Sequence, residues 1–446
     1  MKVVFLCGGI GKRMFPLTED KFLFKFLGKT LLQHQIEIAQ KAGFKDFVMI
    51  GNEFNMNKIK EICSHVDANV KFALQKEPEG MADALLSGKN FLINEEILIV
   101  NPNDVFDVSA YKKIIRTGKE NYDSCIVGYE VNSYFPGGYL EVNKKHELIR
   151  IHEKPGEGNE PNNLVNIVIH LHKNSKKLFD YLEKTKSDRD DTYEQAISNM
   201  VNDGWRIKVV PYDGFWHAIK YPWDIFGVVK YFLNNIKKPK ISSKAKISKK
   251  VRIYGNVIIE DNARVLENTV IRGPCYIGKN TVIGNNVLIW NGTHIGDNCV
   301  IGYSSEIKHS YIADNCWFHM SYVGDSIISD NCSFGAGTIT ANFRFDEQPI
   351  KVDVHGKKSD SKMDKLGVIM GVNCKTGINS CTMPGVRVGP NSIIGPGVTL
   401  LENLEPNRIV LIDKKSYSIK ENKITLSIEK KDELMKKLLK HGYDKK

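Results

Sequence analysis

The chain has 446 residues, a formal net charge of +11 and nine cysteines. Its length predicts more than one domain. The positive charge is spread along the chain without the interleaved aromatic and arginine pattern of a nucleic-acid groove, and no apolar stretch approaches a membrane span. We therefore expect neither nucleic acid nor a membrane as a partner. The odd cysteine count, without a C-x-x-C pair, favours reduced thiols in a cytoplasmic protein that starts without a signal peptide.

The first 235 residues have the pattern of an α/β domain. Short apolar runs at residues 2–7, 47–50, 96–100 and 207–210 alternate with helical stretches such as 31–42. Residues 236–250 follow, with seven lysines, one proline and no acidic residue. This composition predicts a solvated linker that includes the first edge of the next domain.

A six-residue repeat dominates residues 251–405, the predicted second domain. Isoleucine stands at every sixth position in six consecutive units: Ile277, Ile283, Ile289, Ile295, Ile301 and Ile307. Neither a helix nor an amphipathic strand has this period, and the intervening glycines and asparagines accept the positive φ of a tight corner. Three units of one strand and one corner close a triangular coil with the aliphatic side chains stacked inside. The pattern resembles the left-handed parallel β-helix of hexapeptide-repeat acyltransferases. Residues 406–446 form a C-terminal tail, and we expect its part from Ser416 onward to pack on a neighbouring coil.

The loop after the first strand reads LCGGIGKRM at residues 6–14 and leads to PLT at 16–18. Its backbone N–H groups could wrap a triphosphate while Arg13 supplies a cation to the migrating phosphoryl group. A dinucleotide fingerprint is the alternative, but Met14 stands where the third glycine would be. The loop resembles the signature of sugar-1-phosphate nucleotidylyltransferases, which condense a sugar 1-phosphate with a nucleoside triphosphate and release pyrophosphate.

Further segments match that family in the same order, and the resemblance implies a Rossmann-like mixed sheet. Taken singly, Glu153 could be a surface acid and Asn166 a strand-end cap. The resemblance implies that Gly9, Gly11 and Arg13 contact the triphosphate, and that Lys21 in KFLFKFLGK contacts the sugar and α phosphates. It implies that Gln75 and Gly80 in QKEPEGMADA recognise the base and that Asp104 in VNPND ligates Mg²⁺. It also implies that Gly138, Glu153 and Asn166 contact the sugar hydroxyls.

The chain also departs from the nucleotidylyltransferase pattern. The stretch before Lys21 is two residues shorter than in the family, which predicts a greater distance between Lys21 and the phosphates. The closing motif, W-x-D-[VI]-G-x-P-W-D in the family, reads WHAIKYPWD at residues 216–224. Ala218 replaces the second metal ligand and Lys220 replaces a glycine. Losing one of two carboxylates predicts slow or absent nucleotidyl transfer, unless Lys220, His217 or Asp224 compensates.

The sharpest local match lies in the solenoid, with Lys308, HMSYVGD at 319–325 and FGAGTITAN at 334–342. It resembles the acetyltransferase half of bifunctional N-acetylglucosamine-1-phosphate uridylyltransferase/glucosamine-1-phosphate acetyltransferases, especially archaeal ones. Acetyl transfer to an amine needs a base for the amine proton, a task that suits histidine. The resemblance implies that His319 is this base, that Asn342 orients it, that Tyr322 and Lys308 position the sugar phosphate, and that the backbone at Ala336 meets the thioester of acetyl-CoA. The alternative is a hydrated histidine at a solenoid corner.

Here too the match is imperfect. Trp290 stands where bacterial relatives carry an arginine that grips the sugar phosphate, and an indole offers no anion site. Phosphate recognition is therefore assigned to Lys308, Arg344 or the lysines near Lys351. Residues 344–365 break the six-residue phase and predict a loop that leaves the coil to cover the active site.

Three functions are compatible with these patterns. The first is a bifunctional enzyme that acetylates an amino-sugar 1-phosphate, which we expect to be glucosamine 1-phosphate, and transfers a nucleotide to it from UTP or another nucleoside triphosphate with Mg²⁺. The second is an acetyltransferase with a degenerate nucleotidyltransferase domain. The third is a non-catalytic regulatory subunit that resembles the exchange-factor subunits of translation initiation; the intact set of His319, Tyr322 and Asn342 argues against it. By the same resemblance we expect a homotrimer or a dimer of trimers.

Overall fold

The computed structural model describes residues 1–9, 11–354, 356–413, 417–423 and 429–441. These residues form two compact units. The first comprises Met1–Ile10, Asp20–Leu23 and Thr30–Ala218, and the second comprises Gly11–Glu19, Phe24–Lys29 and Ile219–Lys446. Among the described residues, no helix is long and apolar enough to cross a membrane.

The elements up to residue 218 alternate between strands and helices, as the apolar runs predict. The strands are β1 (Lys2–Leu6), β2 (Lys25–Phe26), β3 (Lys29–Thr30), β4 (Asp46–Gly51), β5 (Asn69–Leu74), β6 (Ile97–Val100), β7 (Asp104–Phe106), β8 (Ser124–Glu130), β9 (Gly138–Val142), β10 (Leu148–Glu153), β11 (Leu164–His172), β12 (Ile207–Tyr212) and β13 (Trp216–Ala218). The helices are α1 (Leu31–Lys41), α2 (Met56–Ser64), α3 (Met81–Ser87), α4 (Lys89–Leu92), α5 (Val108–Gly118), α6 (Ser175–Lys184) and α7 (Thr192–Asn202). Short 3₁₀ turns lie at Lys12–Met14, Lys21–Leu23 and Pro222–Asp224.

The first unit is built on a mixed nine-stranded sheet, which confirms the predicted α/β fold. Seven strands follow the order β10-β9-β11-β6-β1-β4-β5, and β8 pairs with both β11 and β12. Strand β1 runs parallel to β4 and β6, whereas β11 runs antiparallel to β6. Val3, Val4 and Phe5 are fully buried, as expected of a central strand covered on both faces. The carboxyl ends of the parallel strands therefore meet at one edge, where ligands bind in sheets of this kind.

The predicted linker already contains the first solenoid strands. The elements from residue 225 onward are helix α8 (Ile225–Asn234), strands β14 (Lys240–Ile241), β15 (Lys246–Ile247), β16 (Arg252–Tyr254), β17 (Val257–Ile259), β18 (Arg264–Val265), β19 (Val270–Arg272), β20 (Cys275–Ile277), β21 (Val282–Ile283), β22 (Leu288–Ile289), β23 (Thr293–Ile295), β24 (Val300–Ile301), β25 (Glu306–Lys308), β26 (Tyr311–Ile312), β27 (Trp317–Phe318), β28 (Tyr322–Gly324), β29 (Ile327–Ile328), β30 (Ser333–Phe334), β31 (Ile339–Thr340), β32 (Lys351–Val354), β33 (Lys357–Asp360), β34 (Ile369–Met370), β35 (Lys375–Thr376), β36 (Cys381–Thr382), β37 (Arg387–Val388), β38 (Ile393–Ile394), β39 (Thr399–Leu400), β40 (Arg408–Ile412) and β41 (Tyr417–Glu421), and helix α9 (Glu429–His441).

Three parallel sheets form the faces of the solenoid, as in a left-handed β-helix. The first face begins with β14, β17 and β20, the second with β15, β18 and β21, and the third with β16, β19 and β22. All six isoleucines of the repeat are fully buried, and Ile277 lies beside Ile295 on the next coil. Asn280, Asn286 and Asn298 have φ of +56° at the corners. The predicted strand-and-corner unit is confirmed, because each isoleucine points inward and each asparagine makes the turn.

The predicted loop leaves the coil between β31 and β34. It contains the antiparallel hairpin of β32 and β33, and its base is closed by a bridge between Phe343 and Lys365. The tail returns to its own solenoid, where Met435 of α9 packs against Val282, Val300 and Trp317 of the second face. The tail residues Ile424, Leu426 and Ile428 lie outside the described residues. All nine cysteines are free thiols.

Candidate active sites

In the first unit, the glycine loop closes over a buried glutamine. Gln75 is 2% exposed, and its Nε2 donates to the Gly80 carbonyl at 3.2 Å and to Asp83 at 2.7 Å. A Cβ atom on Gly8 would lie only 1.8 Å from Gln75 Oε1, so a side chain at Gly8 would expel the glutamine. The structure thus brings Gln75 and Gly80 together, next to the loop that carries Gly9.

Gly80 is the N-cap of helix α3 and has a conformation that only glycine adopts easily. Its φ is +96°, and a Cβ atom there would lie 2.3 Å from the Asp190 carboxylate. Lys154 links this region to the predicted sugar site, because its Nζ lies 2.9 Å from Glu153 and 3.8 Å from Asp190. The predicted base-reading and sugar-reading residues therefore lie in one region of the first unit.

Gly138, Glu153 and Asn166 meet where strands β9, β10 and β11 lie side by side. A Cβ atom on Gly138 would lie 3.0 Å from Glu153 Oε2 and 3.5 Å from Asn166 Cβ. Burial, reinforced by the charge of Glu153, raises the pKa of neighbouring Glu194 to about 8. The three predicted sugar-reading residues are thus brought together, beside a carboxyl group that is protonated at neutral pH.

Asp104 lies at the start of β7 and is nearly buried. Asn101 Nδ2 donates to its Oδ1 at 3.2 Å, and Trp216 Nε1 donates to its Oδ2 at 3.1 Å. In the antiparallel pair of β7 and β13, the residue opposite Asp104 is Ala218. Among the described residues, no group of three or more acidic, histidine or cysteine side chains is placed to hold a metal.

The residues around Asp104 nevertheless fit a magnesium ion. Each carboxylate oxygen has two lone pairs, so Asp104 can ligate while it accepts the two hydrogen bonds. Mg²⁺ keeps several waters and is often held by one or two carboxylates together with substrate phosphates. The fit requires that water and phosphate oxygens supply the ligands that Ala218 cannot supply.

The rest of the closing motif and the tip of the glycine loop belong to the second unit. Asp224 Oδ2 accepts from the backbone N–H groups of Lys220 and Tyr221, both at 2.7 Å. Asp224 therefore caps a turn, and its assistance to the metal site stays a prediction. The Arg13 guanidinium lies over the Tyr221 ring at 5.9 Å. Half-buried Lys21, in the first unit, begins a 3₁₀ turn, and its reach to a phosphate stays a prediction.

In the solenoid, four side chains of the predicted acetyltransferase region are joined by hydrogen bonds. Asn342 Nδ2 donates to Tyr322 Oη at 3.3 Å and to Asp325 Oδ2 at 2.5 Å. His309 Nδ1 lies 2.9 Å from the other oxygen of Asp325. Asp325 is 5% exposed. A buried carboxylate held by two partners fixes their positions, so Asn342 and Tyr322 are presented on a rigid frame.

His319 lies at an exposed corner between the second and third faces. Lys308 and Tyr322 point outward from adjacent strands of the third face, because their neighbours Ile307 and Val323 point inward. The Ala336 carbonyl accepts from Asn379 N at 2.8 Å. Within the described residues, the side-chain hydrogen bonds of Asn342 go to Tyr322 and Asp325 rather than to His319. The orienting role of Asn342 therefore stays a prediction.

Sequence reasoning missed a cation beside Trp290. The Arg272 guanidinium lies 5.3 Å from the Trp290 ring and 5.5 Å from that of Tyr254. Trp290 Nε1 donates to Glu306 at 2.7 Å. The spacing of 18 residues, one full coil, could have revealed this pair, because it stacks Arg272 directly beside Trp290 on the third face. Arg344, one of the predicted phosphate contacts, is paired with Asp346.

Comparison with known proteins places both regions in one family. Residues 2–223 match the nucleotidyl transferase model, residues 274–309 match the bacterial transferase hexapeptide model, and residues 367–402 match the hexapeptide repeat of succinyl-transferase. The "Bifunctional protein GlmU" of Methanococcus maripaludis strain C7 is 41% identical over 92% of this chain and 97% of its own length.

Two other relatives give the same result. The "Bifunctional protein GlmU" of Methanocaldococcus jannaschii is 38% identical over 92% of this chain and 97% of its own length. The "Bifunctional sugar-1-phosphate nucleotidylyltransferase/acetyltransferase" of Sulfurisphaera tokodaii is 36% identical over 90% and 97% respectively. With similarity of this extent over both domains, the chain belongs to the family of bifunctional GlmU proteins, which join a sugar-1-phosphate nucleotidyltransferase to a hexapeptide-repeat acetyltransferase.

Proposed function

We propose that this enzyme acetylates glucosamine 1-phosphate with acetyl-CoA and then transfers UMP from UTP to the product, releasing pyrophosphate and UDP-N-acetylglucosamine. The observation that carries the proposal is the hydrogen-bonded set of Tyr322, Asn342 and Asp325 on the solenoid, next to Lys308 and close in sequence to the exposed His319. A non-catalytic scaffold has no use for such a set.

In the acetyltransfer step, the amine nitrogen attacks the thioester carbonyl, a C–N bond forms, and the C–S bond breaks to release coenzyme A. His319 accepts the amine proton, and the Ala336 backbone meets the oxygen that becomes negative. Lys308 and Tyr322 hold the sugar phosphate. We add Arg272 to this phosphate site, since its guanidinium lies against Trp290, where the chain lacks the expected arginine.

In the nucleotidyl step, the sugar phosphate oxygen attacks the α phosphorus of UTP and pyrophosphate leaves. Gln75 and Gly80 recognise the base, Gly138, Glu153 and Asn166 hold the sugar, and Gly9, Gly11, Arg13 and Lys21 contact phosphates. Asp104 would hold Mg²⁺, which neutralises charge on the transferring phosphate when bound.

A second candidate is an enzyme that only acetylates. It is favoured by one observation, the alanine opposite Asp104, because a second carboxylate would otherwise anchor the metal. In that case the first unit binds its ligands but turns them over slowly or not at all.

One experiment separates these functions. Purified protein is incubated with glucosamine 1-phosphate, acetyl-CoA, UTP and Mg²⁺, and free thiol and pyrophosphate are followed separately. The bifunctional enzyme releases both, and the acetyltransferase releases thiol alone. With glucosamine 1-phosphate as substrate, His319→Ala should abolish the release of free thiol. With supplied N-acetylglucosamine 1-phosphate, Asp104→Ala should abolish the release of pyrophosphate. Each variant should keep the other activity. A protein that releases neither has a different function.

A further inference from the structure

A continuous chain of buried hydrogen bonds ends at the predicted sugar contact Asn166. Asn166 Oδ1 lies 2.7 Å from His170 Nε2, and His170 Nδ1 lies 2.7 Å from Tyr193 Oη. Tyr193 Oη also lies 2.9 Å from His172 Nε2, and His172 Nδ1 lies 2.9 Å from Ser124 Oγ. We call these five residues the relay. Four of them are at most 1% exposed, and Asn166 is 8% exposed.

The far end of the relay determines the direction in which its protons are donated. A tyrosine hydroxyl has one proton, so Tyr193 donates to one histidine and accepts from the other. Taken alone, the three central residues His172, Tyr193 and His170 allow either direction of donation. The Ser124 hydroxyl is buried, and within the described residues its partner is His172 Nδ1. The reverse direction would leave this buried O–H without an acceptor, which is costly. Ser124 therefore donates to His172, which donates to Tyr193.

The same direction continues to the sugar site. Tyr193 donates to His170 Nδ1, and His170 Nε2–H donates to Asn166 Oδ1, so both histidines carry their proton on Nε2. Burial and then the neighbouring His172 hold the pKa of His170 well below its usual range, and burial lowers the pKa of His172 to about 3. Both rings are consequently neutral at physiological pH, as this direction of donation requires.

With its oxygen engaged, Asn166 can turn only its amide nitrogen toward the site. Its neighbours there are the carboxylate of Glu153, which accepts hydrogen bonds, and Gly138, where any side chain would crowd that carboxylate. Asn166 thus offers a hydrogen-bond donor, and Glu153 offers an acceptor, to adjacent oxygens of a bound sugar.

We propose that Ser124, His172, Tyr193 and His170 are positioning residues that hold Asn166 as an obligate hydrogen-bond donor to an oxygen of the sugar 1-phosphate. The proposal rests on the proposed function of the first unit as a sugar-1-phosphate site. It goes further by assigning the donor role of Asn166 and the residues that enforce it.

The test is a double-mutant cycle on the affinity for N-acetylglucosamine 1-phosphate, measured by calorimetry with the full chain and Mg²⁺. Tyr193→Phe removes the central hydroxyl and Ser124→Ala removes the terminal donor. Each should raise the dissociation constant about three- to tenfold, the usual effect of one lost hydrogen bond. Asn166→Ala should raise it at least as much. In the Asn166→Ala background, Tyr193→Phe should have no further effect, because the other four relay residues act through Asn166.

Tyr111→Phe is the matched control, since Tyr111 is fully buried in the same unit and its hydroxyl lacks a hydrogen-bond partner among the described residues. It should leave the affinity unchanged. If Asn166→Ala weakens binding while Tyr193→Phe and Ser124→Ala do not, the positioning role is overturned but the sugar site still stands. Equal losses from Tyr193→Phe with and without Asn166 show a merely structural role and also overturn it. If the wild-type protein shows no binding that depends on Asn166, the sugar site itself is wrong. Should Tyr193→Phe not fold, Ser124→Ala decides the question.

Discussion

Ala218 lies directly opposite Asp104 in the two-stranded pair of β7 and β13. Their strands place the two side chains on adjacent backbones, where a second carboxylate could share a cation with the first. A methyl group stands there instead, and the indole of Trp216, two residues earlier, donates to Asp104. This pair thus contains one carboxylate rather than two, and we predict that the rate of nucleotidyl transfer depends on it.

Restoring the missing carboxylate should therefore increase nucleotidyl transfer. Ala218→Asp, alone or with Lys220→Gly to restore room and charge balance, should raise Mg²⁺-dependent pyrophosphate release from UTP and N-acetylglucosamine 1-phosphate. The reason is that a second carboxylate anchors the ion that neutralises the transferring phosphate.

The wild-type rate decides whether that reasoning holds. Turnover at ordinary rates, on the order of 1 to 10³ per second, would mean that another group has replaced the ligand. Asp104→Ala should then abolish the activity and Ala218→Asp should reduce it.

The two activities should be separable at His319. His319→Ala should lower acetyl transfer by at least about 10²-fold, the usual contribution of a positioned general base, while calorimetry shows unchanged UTP binding. Asn342→Ala should have a milder effect, because an orienting residue does not take the proton itself. Retained acetylation in His319→Ala would point to another base.

Asp325 should matter for acetyl transfer although it need not contact substrate. Asp325→Asn keeps the shape but removes the charge that holds His309 and Asn342, so kcat/KM for glucosamine 1-phosphate should fall about tenfold, by analogy with supporting residues elsewhere. Asp261→Asn is the matched control, since Asp261 is a half-buried corner residue paired with Lys244. Equal losses in both variants, or none in either, would contradict a specific role for Asp325.

The solenoid could be predicted from sequence because its rule is local. An inward isoleucine at every sixth position and a corner asparagine such as Asn280 repeat within a few residues, so the period alone specifies strand, corner and core. The relay and the contact of Arg272 with Trp290 could not be predicted in this way. Ser124 and Tyr193 are 69 residues apart in the chain, and only the pairing of β8 with β11 and the packing of α7 bring them to the same histidine.

Glu194 makes the stability of the first unit depend on pH. Its pKa is raised from about 4.5 to about 8 in the folded protein by burial, then by Glu153. Between these values the unfolded chain loses this proton while the folded chain keeps it, so the free energy of unfolding falls as pH rises. Glu194→Gln should remove this contribution, and thermal denaturation should show a larger gain in Tm at pH 8 than at pH 5. A gain of equal size at both values would contradict the raised pKa.

Assembly provides the last prediction, because the second unit leaves large apolar side chains uncovered. Phe345 in the loop between β31 and β34 is fully exposed, Leu401 is 60% exposed and Ile378 is 56% exposed. Phe345 and Leu401 line the same surface pocket, and an exposed apolar patch of this kind is typical of an interface. We expect three chains to pack through their solenoids, so that light scattering gives a trimer or a multiple of it. Leu401→Glu should weaken the trimer and lower acetyl transfer together, whereas Phe54→Glu, a change at an even more exposed residue of the first unit, should do neither. A monomer of 50.5 kDa with full acetyltransferase activity would refute this assembly, since a complete active site would then exist within one chain.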